Sequence, residues 1–147
     1  MSGAGGAMTE VAFHFNAADK LEYTCRLLRK AYLKGSRCQV LGSDSDLQAL
    51  DAALWTRSTG DFLAHSTDLD PESVRHRSML HLGRRAPSGK RVLVIMGEDD
   101  LPVDGGEVDR IIEVVSMDEV DRERARVRWK RYRQRGIEPV RHDVSAT

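Results

Sequence analysis

The chain has 147 residues and a formal net charge of 0, with 40% hydrophobic and 31% charged residues. This length and composition predict one soluble globular domain with a sizeable core. They argue against a membrane protein or a secreted one, because no apolar run approaches membrane-spanning length and the N-terminus lacks a basic-then-apolar signal peptide.

We expect the folded domain at residues 9–140, between a flexible extension at residues 1–8 and a C-terminal tail at residues 141–147. Cys25 and Cys38 lack the spacing of a metal or redox motif, and the five histidines are scattered. Such cysteines favour a reducing, cytoplasmic location over a disulfide or a metal site. The sequence therefore implies no metal and no cofactor.

The first half of the chain alternates strands and helices. A strand is predicted at residues 11–15, after which Asn16 offers a helix cap. An amphipathic helix is predicted at residues 17–33 because apolar residues recur there with helical spacing. A second strand at residues 38–41 leads into a helix at residues 44–56. The apolar face of the first helix consists of Leu21, Cys25, Leu28 and Tyr32.

The second half is less regular until its last two strands. Residues 61–66 predict a short strand or an extended segment, and residues 67–89 are mostly loop, with an edge strand at residues 78–82. The uninterrupted apolar run at residues 91–96 is typical of a central parallel strand buried on both faces. The last strand is predicted at residues 110–115.

Alternating strands and helices predict an α/β fold of one domain. We expect an open, mostly parallel sheet with flanking helices and right-handed crossovers. The topology would be Rossmann-like but without a glycine-rich nucleotide loop, because the first strand-to-helix turn reads FNAADK.

A strongly basic helix is predicted at residues 118–135. Ser116 and Glu119 have the spacing of a capping box, and Gly136 is placed to end the helix in a left-handed conformation. Between Arg122 and Arg135 the helix carries eight basic residues and one acid, a formal charge of +7. Because the whole chain sums to 0, the remainder carries −7.

One stripe of this helix combines charge with an aromatic ring. The helical period aligns Arg122, Arg126, Trp129 and Arg133, which we call the basic stripe. Three guanidinium groups beside one indole suit an anionic ligand that also has an aromatic or aliphatic group to bury. The alternative is a solvated basic face with Trp129 folded into the core.

An enzyme is a weaker hypothesis. Clefts form at the carboxyl ends of parallel strands, and clustered carboxylates there can hold Mg²⁺ for phosphoryl chemistry. The chain has no glycine-rich phosphate loop, no GxSxG and no Walker lysine. Acidic loops are most often solvated, so we expect no catalytic site. The carboxylates in question are Asp44, Asp46, Glu98, Asp99, Asp100 and Asp104.

Three segments in order resemble a known family. They are a first strand of the form xFHFN, the stretch LDAALWTRSTGDFLAH at residues 50–65, and the helix RVRWKRYRQRGI at residues 126–137. Together they resemble the chi subunit of the bacterial DNA polymerase III clamp-loader complex. The likeness covers roughly residues 8–140.

The resemblance implies a non-catalytic adaptor in DNA replication. One surface of chi-like proteins docks the psi subunit and, through it, the clamp loader. Another binds the acidic C-terminal tail of single-stranded-DNA-binding protein, which ends in proline and phenylalanine, so contact with single-stranded DNA is indirect.

The resemblance also implies site residues, by position. Arg122 stands where the family can have a lysine and Trp129 where it can have a tyrosine, and both changes keep the chemical character. The implied tail-binding residues are Val115, Met117, Arg122, Arg126, Trp129 and Lys130. The implied psi-binding residues are Trp55, Phe62 and Leu63. For Trp55 and Phe62 the alternative is ordinary core packing.

A rival within the binding class is direct binding of single-stranded nucleic acid. The basic helix with Trp129 and Tyr132 offers both charge and stacking surfaces. Against this, the rest of the chain is acidic, and one charged stripe suits a short peptide better than a polymer. A Mg²⁺-dependent nucleotide enzyme remains the third hypothesis.

Overall fold

A seven-stranded sheet organises the part of the chain that the computed structural model describes, residues 9–56, 63–84, 92–97 and 108–145. The strands are β1 (Glu10–Ala17), β2 (Cys38–Gly42), β3 (Ser66–Thr67), β4 (Leu80–Leu82), β5 (Val92–Met96), β6 (Arg110–Ser116) and β7 (Val140–Asp143). The helices are α1 (Lys20–Leu33), α2 (Asp44–Thr56), α3 (Glu72–Arg77) and α4 (Glu119–Gln134).

The strand order is β3-β4-β2-β5-β6-β1-β7, and every observed pairing is parallel. This confirms the predicted α/β fold with an open parallel sheet and flanking helices. The apolar run predicted as the central strand is β5, the fourth of seven.

Both faces of β5 are covered, as its unbroken apolar sequence predicts. Val94 and Met96 pack into one core cluster, while Leu93 and Ile95 pack into another on the opposite face. Helices α1 and α2 contribute Leu28, Leu50 and Leu54 to the first cluster, and α4 contributes Ala125 and Tyr132 to the second. The basic helix therefore lies on the face opposite α1 and α2.

The predicted caps of two helices are wrong, although the helices are right. Helix α1 begins at Lys20, because Asp19 accepts a hydrogen bond from the Glu22 N–H at 3.0 Å. Asn16 lies instead at an irregularity of β1, with a φ of 67°. Helix α4 is capped by Asp118, whose carboxylate accepts from the Asp121 N–H at 3.1 Å.

Gly136 ends α4 as predicted, with a φ of 84°. The Ile137 N–H donates to the Tyr132 carbonyl and the Gly136 N–H to the Arg133 carbonyl, both at 3.0 Å. These two bonds form a Schellman motif, which satisfies the last carbonyls of the helix.

The segment predicted as mostly loop, residues 67–89, contains α3 at its centre. Strand β4 was predicted at the sheet edge, but β3 pairs outside it, so β4 is an inner strand. Strand β7 was not predicted, and it pairs with the outer side of β1. On the predicted apolar face of α1, Leu21, Cys25 and Leu28 pack in the core, whereas Tyr32 is 37% exposed.

Candidate functional site

A buried polar network fixes α4 on the sheet. Glu113 is the single acid of the apolar strand β6, and one of its carboxylate oxygens accepts from Arg128 Nε at 2.9 Å. The other accepts from the Tyr132 hydroxyl, also at 2.9 Å. Glu113 and Arg128 have no exposed surface. Arg128 therefore belongs to the buried face of the helix and not to its outer basic surface.

The network perturbs the titration of its members. Burial raises the pKa of Glu113 to about 7, and the opposing effects of Arg128 and of the Tyr132 hydroxyl do not cancel it. Burial, together with the neighbouring Glu113 carboxylate, raises the pKa of Tyr132 as well.

The start of α4 is held by a second charged cluster. Asp121 accepts hydrogen bonds from the Ser116 N–H and hydroxyl, both at 2.9 Å, and from Lys20 Nζ at 3.0 Å. Burial alone would raise the pKa of Asp121, but these donors outweigh it and lower the pKa. Because Lys20 begins α1, the cluster links the first turns of the two helices.

Aromatic rings join α4 to β1. The Phe13 ring lies 5.0 Å from the Trp129 ring and 5.9 Å from the Tyr132 ring, the latter edge to face. Trp129 is partly buried against this cluster. The indole is thus neither deep in the core nor fully solvated, and it forms one wall of a cavity.

That cavity, which we call the α4 pocket, lies between α4 and the strands β1, β6 and β7, with a volume of about 410 Å³. Its apolar lining is Phe13, Phe15, Val115, Ala125 and Trp129, and its cations are Arg122, Arg126, Lys130, Arg133 and Arg141. The structure therefore brings together all four residues of the basic stripe. Among the residues implied as tail-binding, Met117 alone is not part of the lining and is 56% exposed.

The cations of the α4 pocket differ in their partners. Arg126 forms an ion pair with Glu123 at 2.7 Å, and Arg133 lies 3.5 Å from Glu138. Within the described ranges, no carboxylate lies at ion-pair distance from Arg122, Lys130 or Arg141. The pocket thus has net positive charge that the surrounding side chains do not neutralise.

Sequence reasoning missed four residues of the pocket, one of which is Ala125 on the buried face of α4. Phe13 and Phe15 alternate along β1, so both point toward α4, and this period-two spacing is the signal that could have identified them. Arg141 gave no signal, because residues 141–147 were expected to form a tail. Its side chain instead packs over Phe15, with the guanidinium carbon 5.0 Å from the ring centroid.

The residues implied as psi-binding divide. Trp55 is 57% exposed on α2, where its ring meets that of His65 edge to face. Leu63 is 5% exposed and packs in the core cluster shared by α1 and α2. Phe62 lies outside the described residues. Of this set, the structure brings Trp55 to the surface.

Of the carboxylates considered for Mg²⁺ binding, the structure describes Asp44 and Asp46, which lie in the first turn of α2. Ser66, His81 and Asp68 form a hydrogen-bonded series with both distances 2.8 Å, but Ser66 and His81 have no exposed surface. This series ties β3 to β4. No group of three or more potential metal ligands occurs in the described ranges, and Glu98, Asp99, Asp100 and Asp104 lie outside them.

No helix in the described part of the chain is long and apolar enough to cross a membrane. A search of curated proteins found no match. The family model described as DNA polymerase III chi subunit, HolC, matches residues 8–140. Members of that family are accessory subunits of the replicative polymerase and not its catalytic subunit. The match includes every strand and helix up to the beginning of β7, and the chain therefore belongs to the DNA polymerase III chi subunit family.

Proposed function

We propose that this chi-family protein is a non-catalytic adaptor that binds the acidic C-terminal tail of single-stranded-DNA-binding protein in the α4 pocket. The observation that carries the proposal is the combination of five cations and an apolar lining in one cavity. We call this lining the floor; it consists of Phe13, Phe15, Val115, Ala125 and Trp129. A peptide that ends in phenylalanine after acidic residues has the complementary chemistry. Its terminal ring can be buried while its carboxylates pair with the rim.

The floor accounts for the terminal ring. Phe13, Val115 and Trp129 offer aromatic and aliphatic surface, and aromatic pairs gain about 0.5–1.5 kcal/mol beyond the area that they bury. Trp129 is the residue of this floor that α4 supplies as a large side chain. Its removal should therefore cost an amount of affinity comparable to the loss of one charge-assisted hydrogen bond.

The basic stripe accounts for the acidic residues of the tail. From Arg122 to Arg133 the helix rises by roughly 16 Å at its usual 1.5 Å per residue. An extended peptide covers this distance with about five residues. Charge-assisted hydrogen bonds from arginine to carboxylate are the strongest polar contacts available along such a path.

We also propose that the exposed Trp55 on α2 anchors a separate contact with the psi subunit and thereby with the clamp loader. Large aromatic side chains that are exposed in the free protein are frequent anchors of protein interfaces. Trp55 lies on the sheet face opposite α4, since α2 and α4 pack into different core clusters. The two partners could then bind without competing.

Calorimetry with the tail peptide tests the main proposal. We expect the wild type to bind the complete peptide and to lose most of the affinity when the terminal phenylalanine is removed. Trp129→Ala should weaken binding by about ten- to a hundredfold, the equivalent of about 1.4–2.8 kcal/mol. Arg124→Ala, which removes an exposed charge outside the pocket lining, is the matched control and should change affinity little.

A labelled single-stranded oligonucleotide provides the competing arm. The basic residues of α4 outside the pocket, Arg124, Arg131 and Arg135, are the observation that favours nucleic acid. If the oligonucleotide bound more tightly than the peptide, and Arg124→Ala and Trp129→Ala weakened it equally, the adaptor proposal would be wrong.

A further inference from the structure

Arg141 occupies the side of the α4 pocket opposite the basic stripe. Its strand, β7, pairs in parallel with β1, and the register places Arg141 beside Phe13. Paired residues of neighbouring strands point to the same face of a sheet. Since Phe13 faces α4, Arg141 does so too, and both line the pocket. The α4 pocket therefore has two cationic walls, one from α4 and one from β7.

The guanidinium of Arg141 packs over an aromatic ring of the pocket lining. Its central carbon lies 5.0 Å from the centroid of Phe15, a contact of the cation–π type. A guanidinium can donate two parallel N–H groups from one edge. That edge matches the two oxygens of a carboxylate.

Arg141 also differs from two cations of the opposite wall because it is not already in an ion pair with a described acid. Arg126 is already paired with Glu123, and Arg133 is close to Glu138, so an incoming carboxylate must compete with each of these acids. Among the described side chains, no acid is at ion-pair distance from Arg141. The exposed Asp143, two residues along β7, interacts electrostatically with Arg141 but lies beyond ion-pair distance, so a ligand need not break an ion pair to use this charge.

We propose that Arg141 is a specificity-determining residue that binds the free α-carboxylate of a C-terminal aromatic residue whose ring lies on the floor of the α4 pocket. The α-carboxylate and the ring of a terminal residue share one Cα atom, so both must be accommodated within a short distance. Arg141 is itself in contact with the floor through Phe15. The basic stripe then binds the preceding acidic residues. This inference rests on the proposed function.

The test is a double-mutant cycle between protein and peptide. One partner is the wild type or Arg141→Ala, and the other is the tail peptide as a free acid or as its C-terminal amide. Arg141 is exposed, so its replacement should not unfold the protein. If Arg141 binds the α-carboxylate, amidation should weaken binding to the wild type by about tenfold or more and should weaken binding to Arg141→Ala much less.

Two further variants sharpen the result. Arg141→Lys keeps the charge but not the planar fork, and it should retain part of the preference for the free acid. Arg124→Ala should discriminate between acid and amide as the wild type does. Equal losses on amidation for the wild type and Arg141→Ala would overturn the inference while leaving the proposed function intact. Failure of the wild type to bind the free-acid peptide would overturn both.

Discussion

Arg128 is a basic residue of α4 that is buried in the core of the domain. Its guanidinium is buried beneath the helix, where Nε donates to Glu113 at 2.9 Å. Removing one member of a buried ion pair leaves the other charge without compensation, which typically costs about 3–5 kcal/mol. We expect Arg128→Met to lower the free energy of unfolding by that amount at pH 8, measured by urea denaturation.

The same measurement at pH 5 is the first control for this prediction. Because burial raises the pKa of Glu113 to about 7, its carboxyl group is largely protonated at pH 5, and the loss should be smaller there. The second control is the double variant Arg128→Met with Glu113→Leu, which removes both charges and should recover most of the stability. A double variant as unstable as Arg128→Met alone would contradict the prediction.

At the scale of residues, the sequence predicted which side chains of α4 line the pocket better than it predicted which of them are buried. The helical period sufficed for the basic stripe, because all four residues lie on one element. Arg128 was counted only as one of the eight basic residues of the helix, since periodicity alone does not say which face of a uniformly basic helix is buried. The lone acid of the apolar strand, Glu113, was the available signal that a buried partner was needed.

The C-terminal end of α4 illustrates what a single residue contributes to an element. Gly136 has a φ of 84°, and a Cβ added there would meet no atom within 4 Å. The cost of a side chain is therefore one of backbone conformation alone. Gly136→Ala should lower the free energy of unfolding by about 1–2 kcal/mol, because L-residues are disfavoured in the left-handed region.

Gly136→Asn is the matched comparison for Gly136→Ala. Asparagine enters the left-handed region more readily than alanine, so it should cost less stability. Thermal or urea denaturation of the two variants side by side measures the difference. Equal stabilities for Gly136→Ala and the wild type would mean that the Schellman motif does not contribute.

At the scale of elements, local patterns were predictable and long-range pairings were not. Helices α1, α2 and α4 are visible in sequence because each has a periodic apolar face or a distinct terminus. The caps of α1 and α4 were misplaced by three and two residues, because two possible capping residues precede each helix and only the geometry selects one. Strand β7 is short and entirely exposed, so it has no hydrophobic pattern, and its pairing with β1 is a tertiary contact.

The pH dependence of unfolding belongs to the whole molecule, because the buried Glu113 and the half-buried His14 contribute with opposite sign. Burial raises the pKa of Glu113 to about 7 from an ordinary value of 4.5. The folded protein then binds more protons at this site than the unfolded chain, so its contribution to stability falls as the pH rises from about 4.5 to about 7. Burial lowers the pKa of His14 to about 4 from 6.5, helped by His142 and Arg110. Its contribution rises with pH between about 4 and 6.5.

Single variants should separate these two contributions. Relative to the wild type, Glu113→Gln should gain stability as the pH rises from about 4.5 to about 7, since it cannot ionise. His14→Gln should gain stability relative to the wild type as the pH falls from about 6.5 to about 4, since it cannot take up a proton. Urea denaturation across this range measures both differences. A constant difference from the wild type for either variant would show that its group does not titrate with the shifted pKa.

The position of β1 between β6 and β7 has a consequence for how the protein is made. Strand β1 is translated long before the two strands that flank it in the sheet. Pairings of such high sequence separation form slowly, because the intervening chain must be ordered first. During synthesis Phe13 and Phe15 therefore lack their native contacts until β6 and β7 have been made. Unpaired apolar strands of this kind are prone to aggregate. The floor of the α4 pocket is complete only when β7 has joined the sheet, so a nascent chain cannot present the whole cavity before its last strand has left the ribosome.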